Sequence, residues 1–430
     1  MPDTAQQWGE PSGYAEGFVS PSPLSLTPAE SHDTAAQSHI PGWLPYVSGA
    51  FGLAVSGQVN FLVPLRASEL GASFEMIGLI VGAGAAAPAL LSVTTGAVID
   101  RLGARRTFLL GTAATAALAA ASVLVTVYWW FLVLQPLIGI SRNLGWLASQ
   151  TYISSLGSGS DRHRNAGRFS FFTSAGQMAA PVMIGTVAQF TGFRWAFLFL
   201  SAYAAAFAAV ALFLPDVGSH PPPAGGRGRQ GTGLYSALQL LKLRPLQVVL
   251  LISGLRLWIT WIYTPFIPIH LTDNGLSPAV IGIVLATYGI VAAAIAPTMA
   301  FWTRFASAAT VATVAMGCGA IALLIAPHLT SVPLVFLPPA LIGIGQGLSL
   351  PVILTIIGEA APAGRRGVAL GMRAAVNQTA AAIAPVIVGA LIAASGVVAA
   401  FTTGAAGAAA LVAAARLLHV TPTASAAERA

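Results

Sequence analysis

Charge is what this sequence has least of. Asp, Glu, Lys and Arg together make up 8% of its 430 residues, against about a quarter in an ordinary soluble domain. Hydrophobic residues make up 56%. Polar groups are then too few to coat a surface in water, which excludes a soluble globule and leaves lipid as the solvent. Cysteine is nearly absent. Cys318 stands alone in an apolar run, so no disulfide forms within the chain and cysteine usage carries no redox information. Acids are missing from the apolar stretches: all thirteen Asp and Glu fall in tails, linker, loops or helix ends. That leaves no intramembrane carboxylate pair, and no metal-ligand cluster or Ser/His constellation accompanies it, so neither an enzyme nor a cofactor or metal is expected. Residues 1–41 lack a basic n-region and an apolar h-region and carry five acids. They read as a disordered cytoplasmic tail rather than a signal peptide.

What the sequence has in abundance is apolar runs of spanning length. A membrane helix needs about 20 mostly apolar residues. Charge clusters and turn signals divide the chain into twelve such runs: 42–66, 74–99, 106–126, 129–156, 167–189, 192–214, 246–271, 277–302, 304–325, 331–359, 366–393 and 396–418. The stretch after the sixth breaks the pattern with Pro221-Pro222-Pro223 and a Gly/Arg segment, as a flexible linker does. Its Leu238, Leu240 and Leu241 suit a short interfacial helix. The expected organisation is a tail (1–41), a first bundle (42–215), a cytoplasmic linker (216–245), a second bundle (246–418) and a short tail (419–430).

The net charge of +7 could point to nucleic acid, but the placement of the basic residues gives it another meaning. With the N-terminus inside, fifteen Lys and Arg lie in cytoplasmic segments and only Arg66 and Arg194 in outer loops. This is the positive-inside pattern. It predicts a multi-pass protein of the inner membrane with both termini cytoplasmic and no nucleic-acid partner.

The two halves repeat at one offset. Gly71-Ala72-Ser73 with Ile77-Gly78 recurs 204 positions on as Gly275-Leu276-Ser277 with Ile281-Gly282. Leu137-Ile138-Gly139-Ile140 recurs as Leu341-Ile342-Gly343-Ile344, Ala180-Pro181-Val182 with Gly185 as Ala384-Pro385-Val386 with Gly389, and Pro64 as Pro268. The expected fold is therefore an all-α membrane protein, its twelve transmembrane helices in two pseudo-symmetric six-helix bundles with a site between them near the midplane.

The loop between the second and third spans reads Gly96-Ala97-Val98-Ile99-Asp100-Arg101-Leu102-Gly103-Ala104-Arg105-Arg106. It resembles the loop motif of the major facilitator superfamily, and the resemblance covers roughly residues 42–418. It implies that Gly96, Asp100, Arg101, Gly103, Arg105 and Arg106 form a gating loop that latches the cytoplasmic side. Asp100 would meet a basic group or a helix N-terminus, and Gly103 would supply the tight turn. The second half has Ala300, Arg304 and Ser307 there, so the motif is asymmetric. In span 5, Gly176, Ala180, Pro181 and Gly185 are similar to the antiporter motif of drug-exporting branches, with Ala180 and Ile184 where those prefer Gly. Small residues and a proline give a bent, close-packing helix. Two other exporter features differ: Gln135 stands where an Arg is usual, and span 1 carries Gln58 and Asn60 in place of an acid.

Three arginines lie within spans: Arg142, Arg256 and Arg373. Each is costly in lipid; Arg142 and Arg256 mark a cavity or a partner, and Arg373 either does the same or snorkels to the cytoplasmic interface. Helical spacing groups Arg142 with Trp146 and Gln150, Arg256 with Thr260 and Tyr263, and Arg373 with Asn377. With Asn60 and Gln346 these are the candidate substrate-binding residues. Trp258 and Trp261 add aromatic surface beside Arg256. The function expected is secondary active transport of a small organic solute by alternating access, with export favoured. Arg142 and Arg256 would meet a negative group on that solute. The rivals are import of an organic anion and a non-transporting receptor or scaffold. The expected partners are the solute and the lipid bilayer, with the chain a monomer; the coupling ion stays open, with the proton as candidate.

Overall fold

The computed structural model describes residues 42–156, 160–215, 239–361 and 365–420. The expected tail 1–41, most of the linker (216–238, with Leu238) and residues 421–430 lie outside the described residues. Among those described the chain is helical, with no strand.

Twelve helices follow in order among the described residues. α1 is Leu44–Glu69. α2 is Phe74–Leu90 continued by Ser92–Leu102, α3 is Ala104–Ser122 and α4 is Phe131–Ser155. The long element Ser160–Phe213 divides at Gly192 into α5 and α6. α7 is Arg244–Asp273, α8 is Pro278–Trp302, α9 is Ala308–Ile325 and α10 is Leu337–Ala360. Arg366–Val420 divides at Gly396 into α11 and α12. By length and composition alone, seven helices among the described residues qualify as spans, and the bent α2 makes eight. Two of these are the long elements that a glycine breaks in two. α3 and α4 complete the twelve; they are more polar, since α3 opens on Ala104-Arg105-Arg106 and α4 carries Arg142 and Asn143.

The breaks repeat as the sequence does. Gly71 and Gly275 have φ of +80° and +83°, and Gly192 and Gly396 have +78° and +82°. Both pairs stand 204 apart, and side chains rarely adopt that left-handed backbone. Ser73 caps α2 by accepting from the Met76 amide at 3.3 Å, and Ser277 caps α8 by accepting from the Val280 amide at 3.5 Å. Each cap satisfies an amide the helix leaves free. Span 74–99, expected to be one continuous helix, bends by 59° near Leu91. There the hydroxyls of Thr94 and Thr95 both donate to the Leu91 carbonyl, at 2.7 and 2.9 Å. Such back-bonding bends a helix.

Helices in lipid gain little from hydrophobic exclusion, so close contact of small residues holds them together. Within the first half, Gly111 of α3 lies against Gly145 of α4, and Gly139 of α4 against Gly84 of α2. The second half repeats the latter crossing with Gly343 of α10 against the Tyr288 backbone of α8. Aromatic rings fill the rest of the first core: Phe51 meets Phe108 edge-on at 5.8 Å, and Phe131 stacks on Phe197 at 5.9 Å.

The arginines expected in outer loops have a structural job. Arg66 donates to the Val125 carbonyl at 3.3 Å and pairs with Glu69 at 2.9 Å. Arg194 donates to Val123 at 2.9 Å. Both thus cap the C-terminal end of α3, where a cation meets free carbonyls. His270, which stands 204 positions after Arg66, contacts the Pro327 carbonyl at 3.0 Å past the end of α9.

Candidate binding cavity

A cavity of about 180 Å³ lies between the two halves. Its walls come from α1, α5, α7 and α8. α1 and α7 contribute matched pairs at the 204 offset: Leu53 with Leu257, Ser56 with Thr260, Gly57 with Trp261 and Asn60 with Thr264. The other wall is asymmetric. Gln177 and Pro181 of α5 and Leu285 and Tyr288 of α8 line it, whereas the matching residues Ala381, Pro385, Val81 and Gly84 do not. Where Tyr288 extends into the cavity, the first half has Gly84, whose side-chain space is taken by Gln135. The lining holds seven side chains that can hydrogen-bond, two of its residues are large aromatics, and none is charged. Gln177 donates to the Tyr288 hydroxyl at 3.2 Å and bridges the halves.

The halves touch at the end that carries Gly71 and Gly275. Gly78 of α2 packs against Pro385 and Gly389 of α11, and Gly282 of α8 packs against Pro181 of α5 and against Gly185. These two crossings are related by the repeat. No side chain larger than hydrogen fits at the four glycines without displacing backbone. Phe74 and Phe266 meet at 6.4 Å, and Gln189 Oε1 accepts from the Ala279 amide at 3.3 Å, both at the same end. Toward the end that carries Asp100, Gly96, Gly167 and Gly371 have nothing within 4 Å of a built Cβ. Phe171 is 68% exposed there.

The expected site residues fall in several places. Asn60 and Thr260 line the cavity. Arg256 is one turn from Thr260, on the Asp100 side. Gln346 ties this level together, its Nε2 donating to the Arg256 carbonyl and the Thr260 hydroxyl, each at 2.9 Å. Arg142 occupies the repeat position of Gln346, opposite Gly52 and Ser56 in place of Arg256 and Thr260. It has no hydrogen bond or ion pair among the described residues. Trp146 fills the space over Gly52 and stacks on Phe169 at 5.8 Å, so it wedges α1, α4 and α5 together. Gln150 is exposed, and Tyr263 is buried in the second core. Arg373 and Asn377 lie on α11, half-buried. Trp261 lines the cavity, whereas Trp258 turns away and donates to the Gly404 carbonyl of α12 at 3.4 Å.

In the expected gating loop, Asp100, Arg101 and Arg106 are exposed. Asp100 has no ion pair among the described residues. Arg105 donates to Ala211 and Leu212 carbonyls at 3.1 and 2.7 Å, capping the end of α6 within its own half. Gly103 has φ of +81° and allows the turn into α3. In α5, Gly176 packs on Ala50, Ala180 faces Gly57, and Pro181 and Gly185 form the crossing with α8. Ser56, Gln177, Thr264 and Tyr288 are cavity residues the sequence did not single out. Ser56 with Thr260, and Asn60 with Thr264, could have been found as polar pairs at offset 204. Gln177 and Tyr288 have no such partner.

Comparison with known proteins fits this geometry. No match is found among curated protein sequences. Solved structures match over most of the chain. The nucleoside transporter NupG aligns with a TM-score of 0.72 at 15% identity, covering 88% of this chain and 99% of that one. The peptide transporter POT, in complex with sulfate, gives 0.70 at 15%, covering 88% and 93%. A bacterial homolog of the human lysosomal transporter Spinster, inward-facing and unoccupied, gives 0.64 at 16%, covering 88% and 93%. At such identities the likeness shows the fold. A family model described as Major Facilitator Superfamily matches residues 46–259 and again 249–430. The chain belongs to the major facilitator superfamily and is a multi-pass membrane transport protein rather than an enzyme.

Proposed function

We propose that this chain is a secondary active transporter that exports a small organic solute across the inner membrane by alternating access. The observation that carries the reading is the cavity. Both halves wall it, and the paired glycine crossings shut it off at one end. Rocking one half against the other about such a site exposes it to each side in turn. The fifteen-to-two split of basic residues supports a cytoplasmic Asp100 end, so the glycine crossings would close the cavity on the outer side. Asn60, Ser56, Gln177, Thr260 and Tyr288 would orient the solute, and Trp261 would pack on its apolar part. Arg101 and Asp100 belong to a latch that engages only when the cytoplasmic end closes. The α5 residues Gly176, Ala180, Pro181 and Gly185 support export, and the proton is the candidate coupling ion.

Compound accumulation in cells with and without the gene tests direction. Export predicts lower accumulation of at least one compound when the gene is present. Higher accumulation would favour the second reading, import of an organic anion. Arg256 and Arg373 support that alternative, since neither forms an ion pair among the described residues and each keeps a buried Nε without a partner there.

A further inference from the structure

Four buried polar atoms where α7 meets α11 have no hydrogen-bond partner: Ser253 Oγ, Arg256 Nε, Arg373 Nε and Asn377 Oδ1. They are half of the orphaned side-chain atoms found among the described residues, gathered at one helix contact. Gly254 makes that contact, with a built Cβ 3.1 Å from Val376 Cγ1. The two helices run parallel, so Ser253 and Arg256 flank it on one side and Arg373 and Asn377 on the other. Arg373 and Asn377 share a face at i, i+4. The repeat checks the placement. The matching residues in the first half are Gly49, Phe169 and Thr173, and a Cβ on Gly49 would lie 2.8 Å from both the Phe169 carbonyl and the Thr173 hydroxyl. Carried over by the repeat, that arrangement would set Ser253 facing Arg373 and Asn377.

Protein partners do not account for these groups. Arg256 makes one hydrogen bond at the limit of range, Nη2 to the Gln346 carbonyl at 3.5 Å. Neither arginine forms an ion pair among the described residues. Unpaired buried donors destabilise a fold, and two guanidiniums without an acid add repulsion in a poorly solvated place. An oxyanion answers all of these at once. Its oxygens accept from both guanidinium forks and from the Ser253 hydroxyl, and Asn377 can turn its amide nitrogen toward it.

We infer that Ser253, Arg256, Arg373 and Asn377 form an anion subsite for a carboxylate or phosphate-type group, one helical turn to the Asp100 side of the cavity. The inference rests on the transport reading and sharpens it. The solute is an organic anion whose acid group sits between α7 and α11 and whose uncharged body lies against Trp261 and Tyr288. Arg142, across the cavity on α4, is outside this subsite. The same chemistry would hold a free inorganic anion, and the test separates the two sources.

The test uses the purified full chain in lipid nanodiscs. Thermal unfolding is followed against sulfate, inorganic phosphate and benzoate, each compared with chloride at equal ionic strength, with benzamide as the neutral match. At least one oxyanion is expected to raise the unfolding temperature of the wild type above its value in chloride. Its dissociation constant should rise about tenfold or more in Arg256→Gln and in Arg373→Gln. Arg304→Gln, in an exposed loop, should leave it unchanged. Arg373→Lys keeps the charge but loses the fork, so its binding should fall between wild type and Arg373→Gln. If either Gln variant fails to fold, Arg373→Lys carries the same prediction. Benzoate binding tighter than sulfate assigns the site to the acid group of a solute; sulfate or phosphate binding as tightly assigns it to a free anion. No oxyanion-dependent shift in the wild type, or equal shifts in the variants, overturns the subsite. Transport in proteoliposomes is read separately. Binding without transport would remove the transport reading and leave the subsite standing, and transport with unaltered binding in the variants would remove the subsite alone.

Discussion

Gln177 and Tyr288 lie 111 positions apart and meet across the cavity at 3.2 Å. The bond joins the two halves, so it belongs to the state in which α5 and α8 cross at this end. A hydrogen bond between membrane helices contributes about 0.6 kcal/mol on average. Tyr288→Phe should therefore shift the balance between the two access states by about threefold toward the opposite one. Accessibility of a cysteine placed in the cavity would report it, and an unchanged balance would deny the bond that role. Asn60 and Thr260 were legible in the sequence because polar residues in apolar spans are costly and few. Gln177 was not, because its meaning depends on a tyrosine whose counterpart in the other half is Gly84. Trp258 and Trp261 show the same limit. Both sit beside Arg256 in sequence, but only packing against α12 or the cavity tells them apart.

Helices were the most legible elements. Apolar length places them, and the repeat predicts where they break: Gly192 and Gly396 end α5 and α11 within a few residues of the expected boundaries. The bend in α2 was not legible, since Thr94 and Thr95 are ordinary in a membrane helix until both bond back to Leu91. The loop after α2 carries a second prediction. Asp100 is exposed and forms no ion pair among the described residues. Its acid would find a cationic or helix N-terminal partner only on closure. Asp100→Asn should leave expression largely intact and slow solute counterflow in proteoliposomes. Counterflow at the wild-type rate would remove the latch. Arg105 read as one more latch residue in sequence, but its fork is already engaged by the last carbonyls of α6. Arg105→Gln is thus expected to lower the unfolding temperature of the first half, while Arg106→Gln should not.

At the scale of the whole molecule, the repeat offset relates sequence, backbone breaks, helix crossings and cavity lining. Orientation follows from charge placement instead. Cysteines introduced at 157–166 or 216–241 in a Cys318→Ser background should label from the cytoplasm, and those at 66–73 from outside. Labelling of 216–241 from outside would invert the assignment of both ends.

Alternating access is the central claim, and paired spin labels test it most directly. Glu69 and Asp273 stand 204 apart at the closed end, and Ala166 and Leu370 stand 204 apart toward the other; all four are exposed. In the wild type the Glu69–Asp273 pair should report mainly a short distance and the Ala166–Leu370 pair a long one. Gly282→Val places a side chain where Pro181 leaves no room, so it should lengthen the first distance and shorten the second in the same sample. Distances that fail to move in opposite directions would contradict rocking of the two halves about the cavity.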